Sequence, residues 1–374
     1  FIDRNSLSSE EALLDAQASV TPEDICYILY TSGSTATPKG VMLAHKGVIE
    51  NGFDIGERQH LTESDRLWLA VPLFWSFGSA NALPAIMTHG GTIVLQESFE
   101  PEQAISIIES EGCTVFYGMA NMARAIKAHH RWSAKAVKSI RTGLTIGLPE
   151  DVAFIVEALG ADELCNVYGS TETYGNATVC DAFDPLEQRL HSQGLPLPGM
   201  TIKIFDRDSR ESLPVGVVGE IAIKGYVMSG YYLEPDMTAT AFHDGYFLSG
   251  DLGYLDEDGR LYFRGRFKEM IKTGGINVAP LEVEGVLVKH SKIKQAYVVG
   301  IDDPIKEEKV VAVVVYEEGE QESEKDLRKF CRGELASYKV PECIIAYQES
   351  NLPLTSTGKI NKIKLKDELS MKVG

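Results

Sequence analysis

The stretch YILYTSGSTATPKGVMLAHKG (residues 27–47) opens with an apolar run, Tyr27 to Tyr30, that stops abruptly. Thr31, Ser32, Ser34, Thr35 and Thr37 follow, interleaved with Gly33, Pro38 and Gly40 and joined by a single cation, Lys39. Glycines let a backbone curl until several N–H groups face one anion. The hydroxyls add donors and the lysine adds charge. Pro38 before Lys39 and Gly40 after it exclude a G-x-x-x-x-G-K-[ST] loop. The run nevertheless follows a strand, where phosphate loops sit in α/β folds.

Around this stretch, short apolar runs alternate with amphipathic ones. CYILY (26–30), LWLAV (67–71), TIVL (92–95), CTVFY (113–117) and LCNVY (164–168) are candidate strands. Helices are expected over PEQAISIIESEG (101–112), with apolar residues at 104, 105, 107 and 108 and a glycine stop, and over 121–130 and 150–160. Strand–helix–strand succession implies an α/β fold with a mainly parallel sheet. From about 190 to 266 the pattern changes to short strands with Gly, Asp and Pro turns: TIKIF (201–205), GEIAIKG (219–225), YFLSGDLGYLD (246–256) and RLYFRGR (260–266). After 267 comes a compact α+β pattern. It has a helix at 281–290, strands at 294–301 and 309–316, a helix near 323–337 and a strand at 343–349. The acidic run EEGEQESE (317–324) reads as a solvated loop, and His129–His130 as a solvated helix end.

Other turns carry chemistry. NVYGSTET (166–173) ends a strand at what the pattern places on the same sheet edge as the glycine–hydroxyl loop. There Tyr168 offers an aromatic face and Glu172 a hard carboxylate suited to Mg2+. YFLSGDLGY (246–254) sets Asp251 between two glycines, placed to accept from vicinal hydroxyls as in ribose recognition. RGRFKEMIKTGG (264–275) combines cations with a glycine pair, and LPLTSTGKINK (352–362) presents Lys359 on a glycine turn.

The bulk numbers are those of a globular chain. It has 374 residues, 44% apolar and 24% charged, with no apolar run of the ~18–20 residues that cross a bilayer. The N-terminus has no signal-peptide pattern. A net charge of −18 repels nucleic acid and anionic lipid. Six scattered cysteines without a C-x-x-C pair point to a reducing, cytoplasmic compartment and away from a zinc site.

In order, the motifs YTSGSTATPKG, NVYGSTE, SGDLGY, RGRFKEMIKTGG and PLTSTGKINK resemble those of the adenylate-forming superfamily. That superfamily includes acyl-CoA synthetases, aryl-CoA ligases, firefly luciferase and peptide-synthetase adenylation domains. GLPLPGM (194–200) and VMSGYYLEPDMTATAF (227–242) match its connecting segments, so the resemblance runs from about 25 to 367. It implies a large AMP-binding domain over 1–266, its part 190–266 β-rich, and a mobile α+β domain over 267–374. It also implies a two-step reaction. A carboxylic acid attacks the α-phosphorus of ATP, giving an acyl-adenylate and pyrophosphate. A thiol, that of coenzyme A or a carrier protein's phosphopantetheine arm, then displaces AMP.

By the same resemblance Thr31, Ser32, Gly33, Ser34, Thr35 and Lys39 hold the β- and γ-phosphates. Tyr168 stacks on adenine with Gly169 allowing close approach, Thr171 meets the α-phosphate, and Glu172 ligates Mg2+. Asp251 binds the ribose with help from Arg266. Lys359 is the adenylation lysine, reaching between carboxylate and α-phosphate, and Lys268 is the hinge. Lys272, Gly274 and Gly275 build the thioester-forming face once the small domain has rotated. The acid pocket falls to Trp75, Phe77, Gly78, Tyr117, Met119, Gly143 and Gly147. At Trp75 many acyl-CoA synthetases have His and amino-acid-activating domains have Asp, so Trp75 argues for an aryl or small cyclic acid. Members of the superfamily carry a much longer segment before the phosphate loop, whereas Tyr30 here is the thirtieth residue. The remaining N-terminal lobe is therefore expected outside this chain, in a longer form of it or as a partner polypeptide.

Overall fold

The structure, a computed structural model, describes residues 10–31, 38–354 and 360–373. Ser32, Gly33, Ser34, Thr35 and Lys359 lie outside the described residues.

The centre is a seven-stranded sheet. Its strands run in the order Thr92–Leu95, Arg66–Leu69, Val115–Tyr117, Thr142–Thr145 and Glu163–Tyr168, all parallel, then Thr178–Val179 and Leu195–Pro196, both antiparallel. Trp68, Phe116, Leu144 and Leu164 are fully buried in it, as expected of parallel strands covered on both faces. The helices Pro101–Glu111 and Pro149–Leu159 start on proline and stop at Gly112 and Gly160, each left-handed at the C-cap.

The glycine–hydroxyl stretch is placed differently from its sequence reading. Ile25–Thr31 does not join the parallel sheet. It pairs antiparallel with Lys39–Ala44, and Gly230–Tyr231 completes a separate three-stranded sheet. The last pairs of these two strands are Tyr30↔Gly40 and Thr31↔Lys39. Their sheet is not the one that ends in Tyr168. The physical reason lies in KGVMLA, where Gly40, Val41 and Leu43 are buried, so it reads as a second strand.

The helix that follows, His45–Arg58, is hidden in the sequence by Gly47, Gly52 and Gly56, each of which weakens an isolated helix. They are there for packing. A Cβ on Gly47 would lie 2.2 Å from the Tyr174 ring, one on Gly52 2.5 Å from Pro84, and one on Gly56 2.3 Å from the His89 ring.

Strands Thr201–Phe205, Gly219–Lys224, Phe242–His243, Tyr246–Leu255 and Leu261–Arg266 form one antiparallel sheet. One large apolar core runs through the chain from Val41 to Leu261, with a small separate cluster at Phe205, Ala222 and Tyr246. Beyond it, Ile271–Thr273, Ile276–Val278, Ile293–Asp303, Glu307–Tyr316 and Cys343–Ala346 make a second mixed sheet with its own two cores, one on each face. The helix Lys362–Val373 follows the LPLTSTGKINK segment. It buries Leu365 and Leu369, one turn apart, beside Val299 and Ile301. All six cysteines are free, and among the described residues no helix is long and apolar enough to cross a membrane.

Gly143 tests how tightly the parallel sheet is drawn together. A Cβ there would lie 2.0 Å from the Phe116 carbonyl oxygen and 2.9 Å from its carbon, both backbone atoms that cannot rotate away. Gly143→Ala is expected to destabilise the chain by at least about 1–3 kcal/mol, the usual range for overpacking. Urea unfolding measures it, and a wild-type midpoint would contradict the packing described.

Candidate active site

The turn after Tyr168 is rigid by construction. Ser170 and Thr173 cap each other reciprocally, Tyr174 takes a left-handed backbone (φ 56°), and Asn81 Nδ2 donates to the Tyr174 carbonyl at 2.8 Å. A Cβ on Gly169 would lie 2.2 Å from the Gly175 carbonyl oxygen, so only glycine fits under the turn. Its free face carries Thr171 and Glu172. Thr171 Oγ1 donates to Ser76 Oγ at 3.1 Å, one residue beyond Trp75.

Glu172 is reached from the hairpin sheet. Strand Gly230–Tyr231 pairs with Lys39–Ala44, and the Tyr231 hydroxyl donates to Glu172 Oε1 at 3.0 Å. Lys39 Nζ lies 5.2 Å from the centre of the same tyrosine ring. The Met228 N–H donates to the Glu172 carbonyl at 2.7 Å, a second tie between the two segments. Burial, and after it the Glu172 charge, push the Tyr231 hydroxyl well above its ordinary pKa, so it remains a donor. Lys39 and Glu172 thus meet at Tyr231, with Thr171 next to Glu172, although they belong to different sheets.

Asp251 is tied to the same turn through Tyr168. The Tyr168 hydroxyl donates to Asp251 Oδ2 at 2.9 Å, and Arg266 Nε stands 3.5 Å from Oδ1. Asp251 and Arg266 are paired residues on neighbouring strands. Burial raises the Asp251 carboxyl to about 6, and Arg266 and the tyrosine hydrogen bond oppose that shift only in part. Tyr168 is itself nearly buried, with its ring 5.7 Å from that of Phe263. Its hydroxyl couples the strand end to the aspartate.

The expected acid pocket is partly assembled. Trp75 closes a turn that runs into a π-helical segment, Phe77–Ala82. A Cβ on Gly78 would lie 2.6 Å from the Pro72 carbonyl oxygen. Phe77 meets Tyr117 at 5.3 Å between ring centres. Tyr117 is fully buried with its hydroxyl accepting from Gln59 Nε2 at 2.7 Å, so it backs the wall and does not face an opening. Met119 and Gly147 are half-buried beyond the ends of adjacent strands, and Gly143 lies inside the sheet.

In the C-terminal part, Gly274 (φ 57°) and Gly275 (φ 76°) form the tip of the hairpin Ile271–Val278, with Lys272 exposed beside them. Lys268 lies between the two bodies, after Leu261 of the large core and before Ile271 of the small one. The base of the segment carrying Lys359 is pinned: Leu354 bridges Ile360, and Asn361 N–H donates to the Pro353 carbonyl at 2.7 Å. Lys362 is tied to Glu284 at 2.9 Å and to Glu269, next to the expected hinge, at 3.1 Å. Burial opposes its charge, but the two carboxylates outweigh burial and hold its pKa above the ordinary lysine value.

Residues 2–232 match the AMP-binding enzyme family and residues 282–359 match the AMP-binding enzyme C-terminal domain. The chain belongs to the AMP-binding, adenylate-forming enzyme family. Among curated relatives it is 33% identical over 365 residues to the putative acyl-CoA synthetase YngI of Bacillus subtilis, covering 96% of this chain and 66% of that protein. The chain spans 58% to 66% of the length of the first curated relatives it matches. Among solved structures it resembles ATP-bound MatB from Rhodopseudomonas palustris, with TM-score 0.86, 27% identity and coverage of 97% of this chain and 73% of that one. Apo MatB gives 0.77 over the same shares, so the arrangement described here is nearer to the nucleotide-bound form. The amide bond synthetase McbA from Marinactinospora thermotolerans is also similar, with TM-score 0.82, 30% identity and coverage of 93% and 70%.

For an AMP-binding enzyme, the residues that sequence reading passed over are the ones that join its motifs: Tyr231, Ser76, Asn81 and Tyr174. Tyr231 stands within the VMSGYYLEP segment, but nothing in its spacing shows that it reaches Glu172.

The Asp251 carboxyl has a pH signature. Its folded value of about 6 lies above the model-peptide value of 3.8, so the native state binds its proton more tightly than the unfolded state. Ionisation between those values therefore removes stability from the ligand-free fold as pH rises. Asp251→Asn is expected to be more stable than wild type at pH 8, with the gap closing as pH falls through 6 toward 4. Thermal unfolding across that range measures it, and a gap independent of pH would contradict the burial argument.

Proposed function

We propose that this chain catalyses ATP-dependent activation of a carboxylic acid, aryl or small cyclic, to an acyl-adenylate, and transfers the acyl group to the thiol of coenzyme A. One observation carries the reading. Lys39 and Glu172 meet at Tyr231, and the strand end that leads into Thr171 and Glu172 is tied by Tyr168 to Asp251, so segments far apart in sequence bring these polar groups together.

Each step suits these groups. Asp251 has two oxygens to accept from vicinal ribose hydroxyls once it is ionised. The hairpin base at Thr31 and Lys39 aims a cation and a hydroxyl at the polyphosphate, and Thr171 stands beside the α-phosphate. Glu172 has one oxygen engaged by Tyr231, which leaves the other for Mg2+. Among the described residues no cluster of three or more His, Cys, Asp or Glu side chains could hold a metal alone. A single carboxylate plus substrate phosphates is an ordinary arrangement for Mg2+. That ion would neutralise phosphate charge.

The carboxylate oxygen attacks the α-phosphorus, the α–β bridge bond breaks, and pyrophosphate leaves. Lys359 would screen the two anions from each other, which is where a preplaced cation gains most. The thiolate then attacks the acyl carbonyl and AMP leaves. Rotation about Lys268 would withdraw Lys359 and bring in Lys272, Gly274 and Gly275. Trp75 and Phe77 support a flat acid and offer no partner for an α-ammonium group. The likeness to McbA supports a second reading, in which the acyl group goes to an amine.

Exchange of labelled pyrophosphate into ATP, dependent on added acid, tests the first step across a panel of aryl, short aliphatic and amino acids. Aryl acids are expected to support exchange and amino acids not to, and no exchange with any acid defeats the proposal. Lys359→Ala is expected to lower exchange by at least ~100-fold, on the scale of an electrostatic group removed from a charged transition state. Thioester formation from supplied acyl-adenylate should then persist, whereas equal loss of both half-reactions would rule out the two-position mechanism.

A further inference from the structure

Lys362 is the first residue of the helix Lys362–Val373 and follows Lys359 closely in the chain. Its ammonium lies 2.9 Å from Glu284 and 3.1 Å from Glu269. Glu284 is buried and held in turn, since its Oε1 also accepts from the Val298 N–H at 2.8 Å, on the strand Ile293–Asp303. Glu269 is the residue after Lys268. Along the chain, Glu269 and Lys362 are separated by most of the small body. Across space they are one ion pair apart. The helix does not need that pair to dock. Its Leu365 and Leu369 are buried, and its Lys366 makes a separate pair with Glu308 at 2.8 Å. Nor does local neutrality need it, because Glu284 alone balances the lysine. The contact with Glu269 is therefore one that packing of the small body does not account for.

We propose that Lys362 is a positioning residue for the adenylation step: it ties the base of the Lys359 segment to the residue that follows the pivot, and so fixes where Lys359 arrives when the small body turns. The inference rests on the two-position reading above. A rotating body delivers a side chain to a defined point only if the path from pivot to side chain is stiff, and a displacement of about 1 Å at a reacting centre costs on the order of 100-fold in rate. The segment's base is already closed on itself, with Leu354 bridging Ile360 and the Asn361 N–H donating to the Pro353 carbonyl at 2.7 Å. Lys362 adds the link from that base to the hinge. The thioester-forming face has no use for such a link. Lys272, Gly274 and Gly275 follow Glu269 directly in the hairpin Ile271–Val278, so the chain itself is their short path to the pivot. Lys362 therefore acts on one half-reaction and not on the other.

The test compares the full chain with its variants Lys362→Met, Lys362→Arg, Glu269→Ala and Lys362→Met/Glu269→Ala. Two rates are read: acid-dependent exchange of labelled pyrophosphate into ATP, and thioester formation from supplied acyl-adenylate and coenzyme A. Lys362→Met and Glu269→Ala are expected to lower kcat for exchange by about 10- to 100-fold with the KM for ATP unchanged, while thioester formation stays within about 2-fold of wild type. Lys362→Arg keeps a cation between the two carboxylates and should retain exchange. The double variant should match Lys362→Met alone, because both changes remove the same contact. Glu269 is partly exposed, so Glu269→Ala reads the contact even where Lys362→Met fails to fold with Glu284 left buried and unpaired. Equal loss of both half-reactions, a fall in exchange through KM alone, losses that multiply in the double variant, or full exchange in Glu269→Ala overturns the proposal. Exchange that is present in wild type, lost in Lys359→Ala and kept in Lys362→Met defeats this inference and leaves the adenylation reading standing. No exchange in wild type with any acid defeats both.

Discussion

The Tyr231 side chain is held from two directions. Its hydroxyl donates to Glu172 and its ring faces Lys39. Through it, and through the pairing of Gly230–Tyr231 with Lys39–Ala44, the hairpin that carries the glycine–hydroxyl loop is fixed against the turn that ends the parallel sheet. The Met228 N–H to the Glu172 carbonyl and the Ala44 N–H to the Tyr174 hydroxyl tie the same two segments beside it. The second link, Tyr168 to Asp251, fastens the antiparallel sheet to the same turn. Three sheets meet at residues 168–172, and two tyrosine hydroxyls make the junctions.

Such a junction has an electrostatic consequence. Burial disfavours the Asp251 charge, and the nearby carboxylates of Glu269 and Glu172 add to that, while Arg266 and the Tyr168 hydrogen bond oppose it. In the proposed reading the ribose hydroxyls of a nucleotide would meet Asp251, and a divalent cation would meet Glu172. Perturbed carboxylates of this kind are concentrated at functional sites.

Legibility in the sequence followed the physics of each segment. Parallel strands such as LWL (67–69) and VFY (115–117) were plain because, buried on both faces, they are uninterrupted apolar runs. The helices at 101–111 and 149–159 were plain because proline and glycine mark their ends. The helix His45–Arg58 was illegible because its three glycines serve tertiary contacts that no local pattern shows. The hairpin was misplaced for a related reason. KGVMLA is short, and its partner Gly230–Tyr231 lies nearly two hundred residues away. Motif residues themselves were readable, since Thr171 and Glu172 stand in a distinctive turn; Asp251, expected at a turn between two glycines, lies within a strand and pairs with Arg266. The tyrosines that unite them were not, because a tyrosine in an apolar segment gives no sign of where its hydroxyl ends.

The account's central claim is that these turns serve a single bound nucleotide. A crystal structure with a non-hydrolysable ATP analogue and Mg2+ tests it most directly. The account predicts one analogue, its ribose on Asp251, its α-phosphate beside Thr171, its polyphosphate under the hairpin near Lys39, and the metal on Glu172. An analogue bound elsewhere, or one touching only one of those turns while the others face solvent, would contradict it.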